Sequence, residues 1–140
     1  MQIRIIPMSL YDETFVGKSI EEIQKDFFKD YLINVSKGWY YYGKSGLDAS
    51  SGDLLLFQMN NQIIASAILE DVIHFSKPTI DGSSGALILD RNTIKIFKPI
   101  TKEELSSFIK NFISFNQVKQ KFKIIDVDFP SLEKRMKDNG

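Results

Sequence analysis

The segment that most constrains the fold is 52–75, which reads GDLLLFQMNNQIIASAILEDVIHF. Its first half contains the uninterrupted apolar run 54–57, which is typical of a strand covered on both faces. Asn60 and Asn61 follow, and asparagine tolerates the left-handed conformations that a two-residue hairpin turn requires. A longer apolar segment begins at Ile63. The whole segment therefore predicts a β-hairpin.

Alternate residues of the second hairpin strand divide into two faces. From Ile63 onward one face is mostly apolar and includes the small side chains of Ala65 and Ala67. Small residues let a neighbouring element approach closely, as happens in tightly curved barrels. The hairpin is therefore expected to form one wall of a small β-barrel.

Two amphipathic helices are predicted on either side of the hairpin. Ser19 and Glu22 form a capping-box pair before the first run of helically spaced apolar residues. Thr101 and Glu104 form the same pair before the second run. The predicted helices are 19–36 and 101–115.

Shorter apolar segments predict the remaining elements. The predicted strands are 2–7, 86–89, 93–97 and 122–127, the predicted loops are 43–51 and 76–85, and a helical turn opens at Pro130. Strands and helices are thus mixed, which indicates an α+β class. A length of 140 residues fits a single domain, 1–140.

The chain contains no cysteine, which excludes thiol catalysis, cysteine-ligated zinc and disulfides. Its N-terminus lacks the basic and apolar pattern of a signal peptide, and no apolar stretch is long enough to span a membrane. We therefore expect a cytoplasmic protein without a membrane partner, and we expect no cofactor.

The formal net charge is zero, but the charges are segregated along the chain. Residues 1–90 contain 7 Lys+Arg and 12 Asp+Glu, a balance of −5, whereas residues 91–140 contain 11 and 6, a balance of +5. This asymmetry permits a basic surface on a neutral protein, and ordinary solvated lysines are the other interpretation.

The order of these elements resembles the PUA-like superfamily of small pseudo-barrels, which includes the EVE, ASCH, YTH and SRA domains. The best local match is Gly52-Asp53, which opens an apolar strand before a turn and a long strand. Segments 85–90 (GALILD) and 115–120 (FNQVKQ) also look like parts of PUA-like modules that accompany HNH nucleases. The resemblance implies an α+β pseudo-barrel on which two main helices pack.

One family pattern is not reproduced. ASCH domains are associated with Gly-x-Lys-x-x-Glu-x-Arg, whereas segment 17–21 (GKSIE) places the lysine one position early and no arginine follows. An activity that depends on this pattern is therefore not expected. Because the chain has one histidine, it holds no HNH motif, and a nuclease would be a separate partner chain.

In the PUA-like readers of modified bases, a concave aromatic pocket holds the base, and this resemblance points to the segment WYYY at 39–42. An unstacked base recovers about 1–3 kcal/mol by stacking on an aromatic ring. In an extended segment Trp39 and Tyr41 share one face, and only one such pair is expected to line a pocket. Trp39 and Tyr41 are therefore the predicted ligand-binding rings. Packing of the barrel against the helices is the other interpretation.

Polar and basic residues near the second helix complete the predicted interface. Asn116 and Gln117 carry amides that can read the edge of a base, although capping is the commoner use of such amides. The residues predicted to contact phosphates are Arg91, Lys95, Lys119, Lys121 and Lys123. A solvated strand edge protected by lysines is the alternative explanation.

These features predict a nucleic-acid-binding module without enzymatic activity, which recognises a base, and in particular a modified base, in DNA or RNA. A protein-interaction or regulatory module is the first alternative, because aromatic residues are also enriched at protein interfaces. The second is a metal-assisted hydrolase around Glu70, Asp71 and His74.

Overall fold

The hairpin predicted from the sequence forms the middle of the sheet. A computed structural model describes residues 1–9, 12–43, 49–116 and 120–138 of the chain. Strands β3 (Leu54–Met59) and β4 (Gln62–His74) are joined by Asn60 and Asn61, whose φ angles are 51° and 60°. Two successive residues with positive φ define the hairpin turn that suits the twist of the strands. The predicted turn is confirmed.

In the described part of the chain, five further strands and several helices surround the hairpin. The strands are β1 (Gln2–Pro7), β2 (Trp39–Tyr42), β5 (Gly85–Leu89), β6 (Lys95–Thr101) and β7 (Gln120–Lys123). The helices are α1 (Ile20–Glu22), a π-helix (Ile23–Val35), α2 (Lys102–Phe108), α3 (Phe129–Asp138) and two 3₁₀ turns (Arg91–Thr93 and Ile124–Asp126). No helix in these described ranges is long and apolar enough to span a membrane.

The described strands form one mixed sheet. Their order is β2-β5-β4-β3-β1-β7, and β6 pairs with β4 outside this path. Strands β1 and β3 are parallel, and the other pairs are antiparallel. The sheet with its packed helices confirms the predicted α+β class.

The sheet separates two apolar cores, because its central strands are buried on both faces. Leu55 of β3 lies in the first core together with Phe28 of the π-helix. The next residue, Leu56, lies in the second core together with Leu105 of α2 and Leu132 of α3. Successive strand residues point to opposite faces, so the apolar run in β3 serves both cores.

Strand β4 contains an irregularity at Ile64. The register with β3 skips this residue, and the register with β6 is also irregular there. An extra residue bends a strand and removes its polar groups from the ladder. Nε2 of Gln24, in the π-helix, donates to the carbonyl oxygen of Ile64 at 2.9 Å and to that of Phe97 at 2.7 Å. The side chain of Gln24 therefore connects the helix to β4 and β6.

The first predicted helix, 19–36, is confirmed, but most of it has π rather than α winding. The capping box forms as expected, with the Glu22 amide donating to Ser19 Oγ and the Ser19 amide donating to Glu22 Oε1, both at 3.1 Å. At the other end the Ser36 amide donates to the carbonyl oxygen of Tyr31, five residues earlier, at 2.8 Å. Wide turns of this kind occur often at functional sites.

The second predicted helix is too long. It was expected over 101–115, but α2 ends at Phe108. Ile109 is extended and pairs with Val127 in an isolated antiparallel bridge, and Asn111 has a φ of 72°. The pairing with a distant segment overrides the local helical pattern. As a result, Ile113 is 80% exposed.

Two strand boundaries also differ from those predicted. Strand β7 covers 120–123 rather than 122–127, because residues 124–126 form a 3₁₀ turn. Strand β6 covers 95–101 rather than 93–97, because residues 91–93 form the other 3₁₀ turn.

The contacts of Gln24 predict a specific loss of stability. Gln24 is 8% exposed, so Gln24→Leu would leave two buried carbonyl oxygens without their donor. We expect the free energy of unfolding to fall by about 1–3 kcal/mol, as measured by urea denaturation. Asn34→Leu makes the same change in polarity at an exposed position of the same helix, and we expect it to change stability by less than about 0.5 kcal/mol. Equal effects of the two variants would contradict this role.

Candidate functional site

Strand β2 brings the predicted rings together, and a glycine fixes where the strand begins. Gly38 has a φ of 91°, and a Cβ atom added there would overlap the carbonyl oxygen of Leu89 in β5. Its own carbonyl oxygen accepts from the Leu89 amide at 2.8 Å. Only glycine suits this close approach. Trp39 is therefore the first residue of an extended strand at one end of the described strand order.

An open cleft of about 520 Å³ lies beside β2, and we call it the aromatic cleft. Its aromatic lining consists of Phe15, Phe27, Tyr31, Trp39, Tyr40 and Tyr41. Its polar side chains are those of Asp12, Glu13, Thr14, Asp81 and Ser83. This volume lies within the usual range of small-molecule sites, about 300–1,000 Å³.

More residues of β2 line the cleft than the sequence predicted. Trp39 and Tyr41 were expected to line a pocket as one pair, but Tyr40 from the opposite face lines it too. The expectation of a single pair was wrong because β2 lies at the end of the strand order. A cleft beside such a strand is open to side chains from both faces.

The rings of the cleft support one another. Phe27 stacks on Tyr31 with centroids 5.6 Å apart and meets Tyr40 edge-on at 5.9 Å. Trp39 and Tyr41 lie with centroids 6.0 Å apart, and Tyr41 remains 46% exposed. Aromatic pairs at such distances stabilise each other beyond their buried area. The cleft therefore contains rings that are held in place by neighbouring rings, and one ring, that of Tyr41, that is partly open to solvent.

The electrostatic character of the cleft is acidic. Burial raises the pKa of Tyr40 well above its usual value, and the nearby carboxylate of Asp12 raises that pKa further. The phenol therefore stays protonated at neutral pH. Hydrogen bonds from the Thr79 hydroxyl and from Ser83 lower the pKa of Asp81, so this carboxyl stays ionised.

Two basic side chains lie at the beginning of β2. The guanidinium of Arg91 donates to the carbonyl oxygen of Ile33, near the end of the π-helix, at 3.3 Å. Its Cγ would lie 3.3 Å from a Cβ atom on Gly38. Lys37 is exposed, has a φ of 59° and precedes that glycine. Both cations therefore lie next to the backbone that leads into Trp39.

Two further lysines lie near the turn that contains Arg91. Nζ of Lys29 donates to the carbonyl oxygen of Ile94 at 3.1 Å, and Lys95 follows directly in the chain. Asp90 lies at the same turn, where its Oδ1 accepts from the Asn92 amide at 3.0 Å. We call the four cations the basic patch: Lys29, Lys37, Arg91 and Lys95.

The other predicted contact residues lie away from the aromatic cleft. Lys121 and Lys123 are exposed on β7, at the opposite end of the strand order from β2. Asn116 follows Phe115, which lines a separate concavity beside the hairpin turn. The predictions for Gln117 and Lys119 lie outside the described residues. The structure thus places Trp39, Tyr41 and Arg91 around one end of β2, whereas Lys95 lies on β6.

The residues of the hydrolase hypothesis do not form a metal site. Nδ1 of His74 lies 2.8 Å from the Tyr42 hydroxyl oxygen, and this hydroxyl donates to the carbonyl oxygen of Ile73 at 3.2 Å. Asp71 accepts from the neighbouring Val72 amide at 2.8 Å. Within the described ranges, no three His, Asp or Glu residues are grouped so that they could hold a metal ion.

Of the residues that line the cleft, the sequence predicted only Trp39 and Tyr41 as ligand-binding. Phe27 and Tyr31 belong to the helical apolar pattern of the first helix, which predicted an amphipathic helix and no binding residues. Asp12 and Phe15 belong to a segment to which no element was assigned. The spacing of Phe27 and Tyr31 places them on one helix face, but only the strand order shows that β2 faces them.

The fold is shared with a solved structure. The crystal structure of ASCH from Zymomonas mobilis matches with a TM-score of 0.55 and 13% sequence identity, over 94% of this chain and 94% of that chain. No protein-family model matches the chain, and no curated protein matches its sequence. At this identity the likeness establishes the fold alone. The protein therefore shares the fold of that ASCH structure, which is the kind of fold that the resemblance implied.

The glycine at the start of β2 allows a matched test of the local geometry. Gly52 has nearly the same φ as Gly38, 93° against 91°, but a Cβ atom added there would meet nothing within 4 Å. We expect Gly52→Ala to cost about 1–2 kcal/mol through its backbone conformation alone. Gly38→Ala adds the overlap with Leu89, so we expect a total of about 2–5 kcal/mol in urea denaturation. Equal losses would show that the close approach is not a constraint.

Proposed function

We propose that the protein binds single-stranded nucleic acid, with one unstacked base, plain or modified, in the aromatic cleft. The neighbouring phosphates lie over the basic patch. The observation that carries this proposal is the position of Trp39, which belongs to the cleft and directly follows the backbone beside Lys37 and Arg91.

The rings provide the non-specific part of the binding. Trp39 and Tyr41 are adjacent on one face of β2, and the exposed part of Tyr41 gives a base access to the ring surface. Every base has a π-face, so stacking on these rings accepts any of them. A flipped or single-stranded base is required, because a base within a duplex is already stacked.

The basic patch provides the electrostatic part. Lys37 and Arg91 are exposed, and Arg91 is anchored by its bond to the carbonyl oxygen of Ile33. Cations held beside a stacking site can neutralise the phosphates on either side of the bound base. The cleft itself is acidic, so phosphates are favoured outside it and the base inside.

The fold is compatible with this proposal. PUA-like domains that read modified bases use an aromatic pocket, and the resemblance of this chain to that superfamily led to the same expectation. The contact of Lys121 and Lys123 with phosphates stays a prediction from the sequence. A separate nuclease as partner stays a prediction as well.

The direct test is fluorescence anisotropy with labelled single-stranded RNA and DNA at several salt concentrations. Trp39→Ala is expected to weaken binding by roughly fivefold to 150-fold, since stacking is worth about 1–3 kcal/mol per base. Ile125→Ala removes an apolar side chain that is 86% exposed and does not line the cleft, and it should leave binding unchanged. No binding at low salt would contradict the proposed function.

A charge-matched pair of variants locates the phosphates. Lys37→Gln combined with Arg91→Gln should weaken binding and reduce the slope of log K against log salt by about 0.7 per cation. Lys121→Gln combined with Lys123→Gln removes the same charge from the opposite end of the strand order. The proposal predicts little effect of this second pair. A larger effect of the second pair than of the first would place the phosphates on β7 instead.

A further inference from the structure

The charged side chains that the structure describes in the aromatic cleft all have one sign. Its described lining includes the carboxylates of Asp12, Glu13 and Asp81 and contains no lysine, arginine or histidine. Ionised carboxylates accept hydrogen bonds and cannot donate them. The part of a ligand that meets these carboxylates must therefore present donors or positive charge rather than phosphate.

The three carboxylates are not equally available. Asp81 accepts hydrogen bonds from Thr79 and Ser83 within its own loop. Oδ1 of Asp12 accepts from the Thr14 amide at 2.9 Å. Within the described ranges the carboxylate of Glu13 has no hydrogen bond or ion pair. Asp12 and Glu13 are therefore the acceptors that a ligand can engage, and the two residues are adjacent in the chain.

Tyr40 supplies a second, independent feature of the same cleft. Tyr40 and Asp12 both line the cleft, and burial together with the Asp12 carboxylate raises the pKa of the phenol, which keeps it protonated. No group in the described part of the chain forms a hydrogen bond with this hydroxyl. The ring packs against Phe57 with centroids 5.1 Å apart, so the side chain is held in place. A ligand that fits the cleft would present an acceptor to the Tyr40 hydroxyl. Beside that acceptor it would present donors to the carboxylates.

We infer, on the basis of the proposed function, that the aromatic cleft selects guanine among the four standard bases. The Watson–Crick edge of guanine carries two adjacent donors, N1–H and the 2-amino group, with the O6 acceptor beside them. A carboxylate can accept both donors at once, in the paired geometry that it also adopts with arginine. The Tyr40 hydroxyl is the matching donor for O6.

The other bases fit these groups less well. Adenine and cytosine each place a ring-nitrogen acceptor beside their amino group, and that acceptor would face a carboxylate. Uracil has one N–H between two carbonyl acceptors. Each of these bases keeps the stacking energy but loses at least one of the paired hydrogen bonds, and well-formed bidentate pairs discriminate strongly between bases.

The same chemistry makes a prediction for a modified base. Methylation of guanine at N7 adds a positive charge and leaves both donors in place. A cationic ring over Trp39 and Tyr41 gains cation–π attraction and is attracted to the carboxylates as well. The 7-methylguanine form should therefore bind more tightly than guanine.

The experiment uses RNA pentanucleotides that differ at the central base, in fluorescence anisotropy at low salt. UUGUU should bind roughly tenfold more tightly than UUAUU, UUCUU and UUUUU. Inosine at the centre lacks the 2-amino group and should lose most of this preference. The 7-methylguanosine version should bind more tightly than UUGUU.

Variants of the carboxylates identify the acceptor. Asp12→Asn combined with Glu13→Gln should reduce the preference for UUGUU to less than threefold, while UUUUU binds as tightly as before or more tightly. Glu70→Gln removes an exposed carboxylate that does not line the cleft and should preserve the preference. Tyr40→Phe should weaken UUGUU more than UUUUU.

The outcomes separate this inference from the function on which it rests. Equal binding of all pentanucleotides, or preference for a pyrimidine, would overturn the selection of guanine and leave single-strand binding intact. A guanine preference that survives the double variant would overturn the assignment to Asp12 and Glu13. Absence of binding to every oligonucleotide would overturn both proposals.

Discussion

Two hydrogen bonds from the buried side chain of Gln24 fix the π-helix against the sheet. One of them satisfies the carbonyl oxygen of Ile64, which the bulge in β4 removes from the strand ladder. Because a buried carbonyl without a partner is costly, the bulge and the glutamine depend on each other. The helix carries Phe27 and Tyr31, so the wall of the aromatic cleft is positioned by a contact in the core.

The chemistry of the cleft follows from what this arrangement brings together. Rings from β2 and the π-helix form the walls, carboxylates from the segment at 12–13 lie at one side, and the basic patch lies at the beginning of β2. The negative charges of the carboxylates and the positive charges of the basic patch are thus separated from each other along β2. Such a surface suits a ligand with a separated charge of its own, and a nucleotide, with anionic phosphate and a donor-bearing base, is such a ligand.

Local patterns predicted the parts of the fold that local forces decide. The turn at Asn60 and Asn61 and the capping box at Ser19 formed as expected, because their energetics lie within a few residues. The end of α2 did not, because Ile109 pairs with a residue 18 positions away, at Val127. The same limit applies to the site, since a lysine stripe on β7 could not be placed relative to β2 without the order of the strands.

The central claim is that the end of β2 is where nucleic acid binds. Ultraviolet crosslinking of a single-stranded oligonucleotide, followed by mass spectrometry of tryptic peptides, tests it without any variant. Cleavage after Lys37 and Lys44 releases the peptide GWYYYGK, residues 38–44, which contains Trp39 and Tyr41. We predict that this peptide carries the main crosslink. Crosslinks confined to peptides that begin at residue 120 or later would contradict the account.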